Sequence, residues 1–493
     1  MTKKVNFSKI NLLSVILAVV MFIIVISCGG GGGGGGIIPP IGGGGGSGGS
    51  GGGSADISFN NQGYLIIETK SNSLNTSYLF FNFQTSNPNI LSNENNNINR
   101  NTLNNIREFR CGFKPSNRDN LNNNILYSYS APNLNEIRDF QVYDSATNNN
   151  VTGVTVTAKC VHVNSNPKYA IWVDTDNTDN YNEEYLFNNN RDNIIDHFNK
   201  DYNILTANIG ALDFYVDILI TEKVDSAPSP NVIGYFWGYQ DSQRVNVHPY
   251  TFSLNYGTYN EFNVTLAHEF VHLLEYNKTT IGNHSAWIAE GLATYGEELC
   301  GYFGDVRIES IKSFFANPDT TSLVTNNPDF SNYGKSFLFI KQLNQRFTNA
   351  WANMVTSNLD GINLIDNING SEDFQTTVDK FNIAVLIDTN DNNPTYDFIG
   401  LNLNSSTFYN GIYRYNGWDN NTLNNMGAAN SMTKYSAYYL YKSSAFNGSI
   451  FISTLFSDNV QLLFNTFVDE IVNGWNIKYS DFNNNVRFIL VYK

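Results

Sequence analysis

Charge is scarce in this chain and leans to one sign. Asp, Glu, Lys and Arg make up 15% of the 493 residues, 44 acidic against 29 basic, for a net charge of −15. A chain this poor in lysine and arginine carries no basic footprint for a phosphate backbone, which argues against nucleic acid as a partner. Cysteine is rarer still, with four residues: Cys28, Cys111, Cys160 and Cys300. That number excludes a disulfide-framework protein. It leaves room for one bridge in an oxidising compartment, with Cys111–Cys160 the natural pair and Cys300 a buried thiol. Histidine numbers six, so any ordered pair of histidines is informative. What the chain has in quantity is aromatic residues, at 14%, and asparagine tracts such as Asn95–Asn97, Asn148–Asn150 and Asn483–Asn485, which read as loops.

Two histidines do form an ordered pair. His268-Glu269-Phe270-Val271-His272 places both imidazoles on one helical face, one turn apart, where they can share a metal ion. Leu266, Phe270, Leu273 and Leu274 give the segment Thr265–Tyr276 an apolar stripe, and neither Gly nor Pro interrupts it. Glu269, directly after the first histidine, suits a base working on a water at the metal better than it suits a ligand. A hydrolytic zinc site takes three protein ligands and keeps one position open. Lys278 stands where a third histidine would follow in one solution. Glu290 offers the other solution, on a second helical segment, Ser285–Tyr295, after a loop from Asn277 to His284.

These two segments together, Thr265–Leu274 and Trp287–Ala293, resemble the glutamate-type zincins, and are most similar to the hyicolysin family of secreted bacterial metallopeptidases. The resemblance covers roughly residues 166 to 390. It implies a Zn2+ peptidase with an α+β catalytic domain, His268, His272 and Glu290 as ligands, and Glu269 as the catalytic glutamate. An oxyanion donor is also needed. Tyr333, in Asn332-Tyr333-Gly334-Lys335-Ser336, resembles the tyrosine of a helix-opening segment in aminopeptidase relatives, although Ser336 replaces a glycine there. His284 and Tyr295 are the other candidates. Glu297, two turns past Glu290, is placed to orient a histidine. Glu275 reads as a solvated helix residue or such a partner, and Glu298 as surface. His248 ends a strand, and His162 and His197 have no motif around them. An edge strand for a peptide substrate is expected in Asn231–Asp241 or Arg244–His248. Asp174–Asp179 and Asp388–Asp391 have oxygen ligands at close spacing, but lack the EF-hand glycine and terminal glutamate and read as solvated turns.

The N-terminus points to export. Lys3, Lys4 and Lys9 precede an apolar stretch from about Ile10 to Ile26, and Val25-Ile26-Ser27-Cys28 resembles a bacterial lipoprotein signal box. Residues 1–27 are then a signal peptide, Cys28 a lipidated N-terminus, and 28–54 a Gly/Ser tether too flexible to bury a core. The expected fold is multidomain. An N-terminal β domain (55–165) and a C-terminal β domain (392–493), both sandwich-like, flank an α+β zincin-like catalytic domain (166–391). The expected function is a surface-tethered endopeptidase acting on protein or peptide substrates at the cell envelope and held to a membrane by its lipid. The alternative is an envelope adhesin with a non-catalytic zinc site. An aminopeptidase is disfavoured, because no Gly-Ala-Met-Glu-Asn-type segment is present to capture a free amine.

Overall fold

Apolar runs and amphipathic stretches sort into a mixed sheet with helices packed on it. The computed structural model describes residues 57–59, 63–69, 79–85, 110–111, 131–142, 154–176, 181–225, 232–236, 238, 241–256, 259–408, 410–412, 414–416, 435–442, 446–454, 457–461, 470–483 and 486–492, all within the unit Ala55–Lys493. The expected signal peptide, Cys28 and the Gly/Ser tether lie outside the described residues. No helix among those described is long and apolar enough to cross a membrane.

The central sheet has seven strands. Their spatial order is 110–111, 232–236, 244–247, 216–220, 168–174, 154–165 and 137–142. Three neighbours in the middle, 168–174, 216–220 and 244–247, run parallel. Their sequences show why: Val216–Ile220 is buried at every position and Lys168–Asp174 at all but its first, as strands covered on both faces require. Strand 232–236 runs antiparallel to 244–247, and 154–165 antiparallel to 168–174.

Eight helices are described. Helix α1, Glu183–Thr206, links two of the parallel strands. Asn182 caps it by accepting the Tyr185 N–H, and Phe187, Ile194, Phe198, Tyr202 and Leu205 are among its buried residues. Helix α2, Glu261–Lys278, has every residue from Glu261 to Glu275 buried. It packs on strands 232–236 and 244–247 and against α1. Phe270 meets Phe198 edge-on and stacks on Tyr202, each with ring centroids 5.2 Å apart. Complete burial of one such ring contributes roughly 1.5–3 kcal/mol. The remaining helices are α3 (Ala286–Cys300), α4 (Asp305–Ala316), α5 (Phe330–Arg346), α6 (Ala350–Val355), α7 (Gly361–Asn369) and α8 (Phe374–Ile387). Helix α5 begins seven residues before the Phe337 start suggested by hydrophobic periodicity. Asp329 and Asn332 close a capping box there, and Tyr333 falls in the first turn.

Glycines set two of the closest approaches. A Cβ on Gly234 would lie 2.4 Å from Thr265 Cγ2, so only glycine lets α2 settle on strand 232–236. A Cβ on Gly334 would run into the backbone of Ser310 and Ile311, which fixes α5 tightly against α4.

Two expected boundaries do not match the observed pairing. A break at 165/166 falls inside a hairpin, where Ser165 pairs with Lys168 and strands 154–165 and 168–174 are neighbours in the central sheet. Segment 137–165 therefore belongs to the sheet that carries the helices. Nor do the chain's first and last strands form separate flanking sandwiches. Strand 63–69 sits between 437–442 and 486–492 in a six-stranded sheet, antiparallel to both. Strands 57–59 and 79–85 both pair with 446–454. The two ends complete each other's backbone hydrogen bonding, a non-local pairing that strand periodicity does not encode.

Candidate metal centre and active site

Helix α2 presents His268 and His272 on one face, and α3 brings Glu290 to the same point. His268 Nε2 is 3.3 Å from His272 Nε2 and 3.2 Å from Glu290 Oε2, and His272 Nε2 is 3.6 Å from that oxygen. All three residues are buried. Ligands at about 2.0–2.1 Å from a tetrahedral ion stand about 3.3–3.4 Å from one another, so these three separations match three edges of such a tetrahedron. Two imidazole Nε2 atoms at this separation can share a proton or a metal ion, and the Glu290 oxygen converging on the same point suits the ion. The group can hold a metal ion, and among the described residues no other set of three His, Cys, Asp or Glu side chains comes together this way.

The electrostatics suit a cation. Burial alone would lower both imidazole pKa values, but the surrounding carboxylates outweigh it and raise His268 and His272 above the usual range. Burial alone would raise Glu290, but the two imidazoles outweigh it and hold the carboxyl well below the usual carboxylate range.

Glu269 behaves differently. It is completely buried, and neither carboxylate oxygen makes a well-formed hydrogen bond, the Phe236 backbone N–H acting on it only weakly. Burial raises its pKa, opposed by His268 and His272 and by the backbone N–H of Phe236. Its Cγ lies 3.4 Å from where a Gly234 Cβ would be, so the side chain lies against strand 232–236. A buried carboxylate so weakly partnered is costly, and its presence calls for an explanation.

A second group of side chains holds the first. His268 Nδ1 donates to Glu297 Oε1 at 2.6 Å, in line with the position of Glu297 two turns beyond Glu290. Arg307 in turn grips both oxygens of Glu297, with Nε 2.5 Å from Oε2 and a second bond from its terminal nitrogen to Oε1. Sequence reasoning missed Arg307. Its signal was an arginine on the apolar stripe of α4, in line with Ile311 and Phe314. Tyr333 lies near the ligands, its ring 6.4 Å from that of His268 at 30°.

Other expectations change. Glu275 is fully buried rather than solvated, and fits the other reading of it as a partner to a histidine: its Oε2 lies 3.9 Å from His272 Nδ1, while its Oε1 accepts from the backbone N–H of His284 and faces His284 Nδ1 at 2.9 Å. His284 is 2% exposed, and its Nε2 faces the Ser357 carbonyl at 3.2 Å. Both ring nitrogens are thus engaged, which removes it as an oxyanion donor. The Tyr295 hydroxyl accepts from Asn344. Glu298 is ion-paired with Lys341 at 2.7 Å rather than a free surface residue. His248 is buried and caps the turn Pro249–Ser253. His162 packs on the Tyr169 ring, and His197 Nδ1 lies 2.9 Å from the Tyr302 hydroxyl.

Strand 244–247 is interior and cannot be a substrate edge. Strand 232–236 borders Glu269, and its outer side pairs over two residues with Arg110–Cys111; Trp237, Tyr239 and Gln240 lie outside the described residues. Cys160 is a free buried thiol and forms no disulfide, its Sγ pointing to the His162 carbonyl, and Cys300 is buried and free as expected. The two aspartate turns are solvated only in part, and residues 177–180 lie outside the described residues. Asp174 is buried and binds the Thr221 hydroxyl and the Asp176 N–H. Asp388 is buried and accepts the backbone N–H groups of Phe398 and Leu403.

No protein-family model and no curated protein matches this chain.

Proposed function

We propose that the protein is a zinc-dependent endopeptidase of the glutamate-zincin type, with His268, His272 and Glu290 holding the ion and Glu269 as the general base. The observation that carries this reading is Glu269: a wholly buried carboxylate, without a well-formed hydrogen bond, on the turn between the two histidines. A structural zinc site closes its shell with four protein ligands, whereas three ligands beside a free carboxylate is the composition of a hydrolytic one.

Zinc bound there supplies polarisation of the scissile carbonyl and a water acidic enough to react near neutral pH. The chain's own residues do the rest. Glu269 accepts the proton of the attacking water and delivers it to the departing amine, a task matched by a carboxylate whose pKa burial has raised. Glu297 holds the His268 ring with Nδ1 protonated and Nε2 free. Tyr333, beside His268, is the proposed hydroxyl donor to the oxyanion. The lipoprotein-like leader supports a site of action at the cell envelope, with Cys28 as the proposed tether and extracellular proteins as the proposed substrates.

The test is cleavage of casein or a peptide library by the full chain, beside Glu269→Gln and with a chelator. Cleavage lost in both the variant and the chelated protein supports the peptidase. Proteolysis retained by Glu269→Gln removes it. Bound zinc without turnover in the wild type favours the alternative, an adhesin with a non-catalytic zinc site.

A further inference from the structure

We propose that Arg307 is a positioning residue of the metal centre, setting the His268 ligand through Glu297 from a separate helix. This rests on the reading of His268, His272 and Glu290 as metal ligands. The chain of contacts is continuous and buried. The Arg307 fork closes on both Glu297 oxygens, and Glu297 Oε1 accepts from His268 Nδ1 at 2.6 Å. Glu297 is 0% exposed and Arg307 8%.

Two physical consequences follow. First, the fork fixes the plane of the carboxylate, and the carboxylate fixes the rotation of the imidazole. With Nδ1–H committed to Glu297, the lone pair of Nε2 is directed to the point shared with His272 and Glu290. Second, the guanidinium balances the charge of Glu297, so that an isolated anion is not left buried behind the ligand.

The fork needs a fixed platform. Arg307 stands in the first turns of α4, three residues before Ser310. The Ser310–Ile311 backbone is in van der Waals contact with α5 at Gly334, where no side chain fits. Helix α4 thus has little room to slide, and Arg307 has one place to be.

The experiment is zinc affinity of the full chain, stripped of metal and titrated against a competing chelator. Arg307→Met and Glu297→Gln are each expected to weaken zinc binding by about 10–100-fold. The double variant is expected to bind no more weakly than the weaker single one, because both act through one ring. Arg307→Lys keeps the charge without the two parallel bonds and falls between wild type and Arg307→Met. It carries the test if Arg307→Met does not fold, as judged by circular dichroism of the metal-free protein. Affinity unchanged in Arg307→Lys and Arg307→Met overturns the inference, as does a double variant whose loss is the product of the single losses. A wild-type chain that binds no zinc overturns the metal centre itself, and this inference with it.

Discussion

Glu269 and Glu275 sit on the same helix, under two turns apart, and both are completely buried. Glu275 is engaged by the backbone and ring of His284, which itself reaches the Ser357 carbonyl, so it ties α2 to the loop before α3 and to the chain after α6. Glu269 has no well-formed hydrogen bond. Burial penalises both charges, but only one is well compensated within the fold. The difference separates a carboxylate tied into the structure from one left available for the proposed chemistry, and burial alone would not have distinguished them.

Substitution at each site should break the pair apart. Glu269→Gln is expected to lower turnover by about 10²–10⁴-fold, the range of general-base contributions, while zinc stays bound and the melting temperature holds or rises. Turnover is read by peptide cleavage and stability by thermal melting; a stability loss here would mean Glu269 is structural after all. His284→Ala should do the reverse. It removes the ring that faces buried Glu275, leaving that oxygen the backbone N–H of residue 284, and is expected to cost on the order of 3 kcal/mol in denaturant unfolding. A smaller effect, about 1–3 kcal/mol, is expected for Gly234→Ala, whose new Cβ must push Thr265 and α2 off strand 232–236. Because Glu269 rides on that contact, activity should fall along with stability.

A third buried carboxylate sharpens the comparison. Asp217 is in the central sheet and accepts from Trp172 Nε1 at 2.7 Å and from Arg138 at 3.4 Å, yet burial pushes its pKa up to about 7. A carboxyl whose folded pKa is raised is most stabilising below its unfolded value of about 3.9. Its contribution is then lost as pH climbs through about 7. Asp217→Asn should flatten this decline between pH 5 and pH 8 in thermal melts, without changing zinc binding. A pH profile identical to wild type would place the titration elsewhere.

The convergence of the candidate site was legible because its pattern is local. His268, Glu269 and His272 lie within five residues, and Glu290 follows on the next helix, so spacing alone brings these side chains together. Tyr333 was legible as a neighbour of the site by its place at a helix start, although that helix begins earlier than its apolar pattern suggested. What escaped was carried by partners distant in sequence. Arg307 is meaningful only once Glu297 and His268 stand beside it. Glu275 and His284 read as helix surface and loop until the loop folds back over α2. The sheet shared by 63–69 and 486–492 depends on strands more than 400 residues apart, and the hydrophobic pattern of a strand says which face is buried, not which strand lies alongside.

The most direct measurement of the central claim is zinc content together with zinc-edge X-ray absorption of the purified full chain. One zinc per chain is predicted, bound by two imidazoles and one carboxylate with a further oxygen from water at about 2.0–2.1 Å. No bound zinc, or an ion closed off by a fourth protein ligand, would contradict the account.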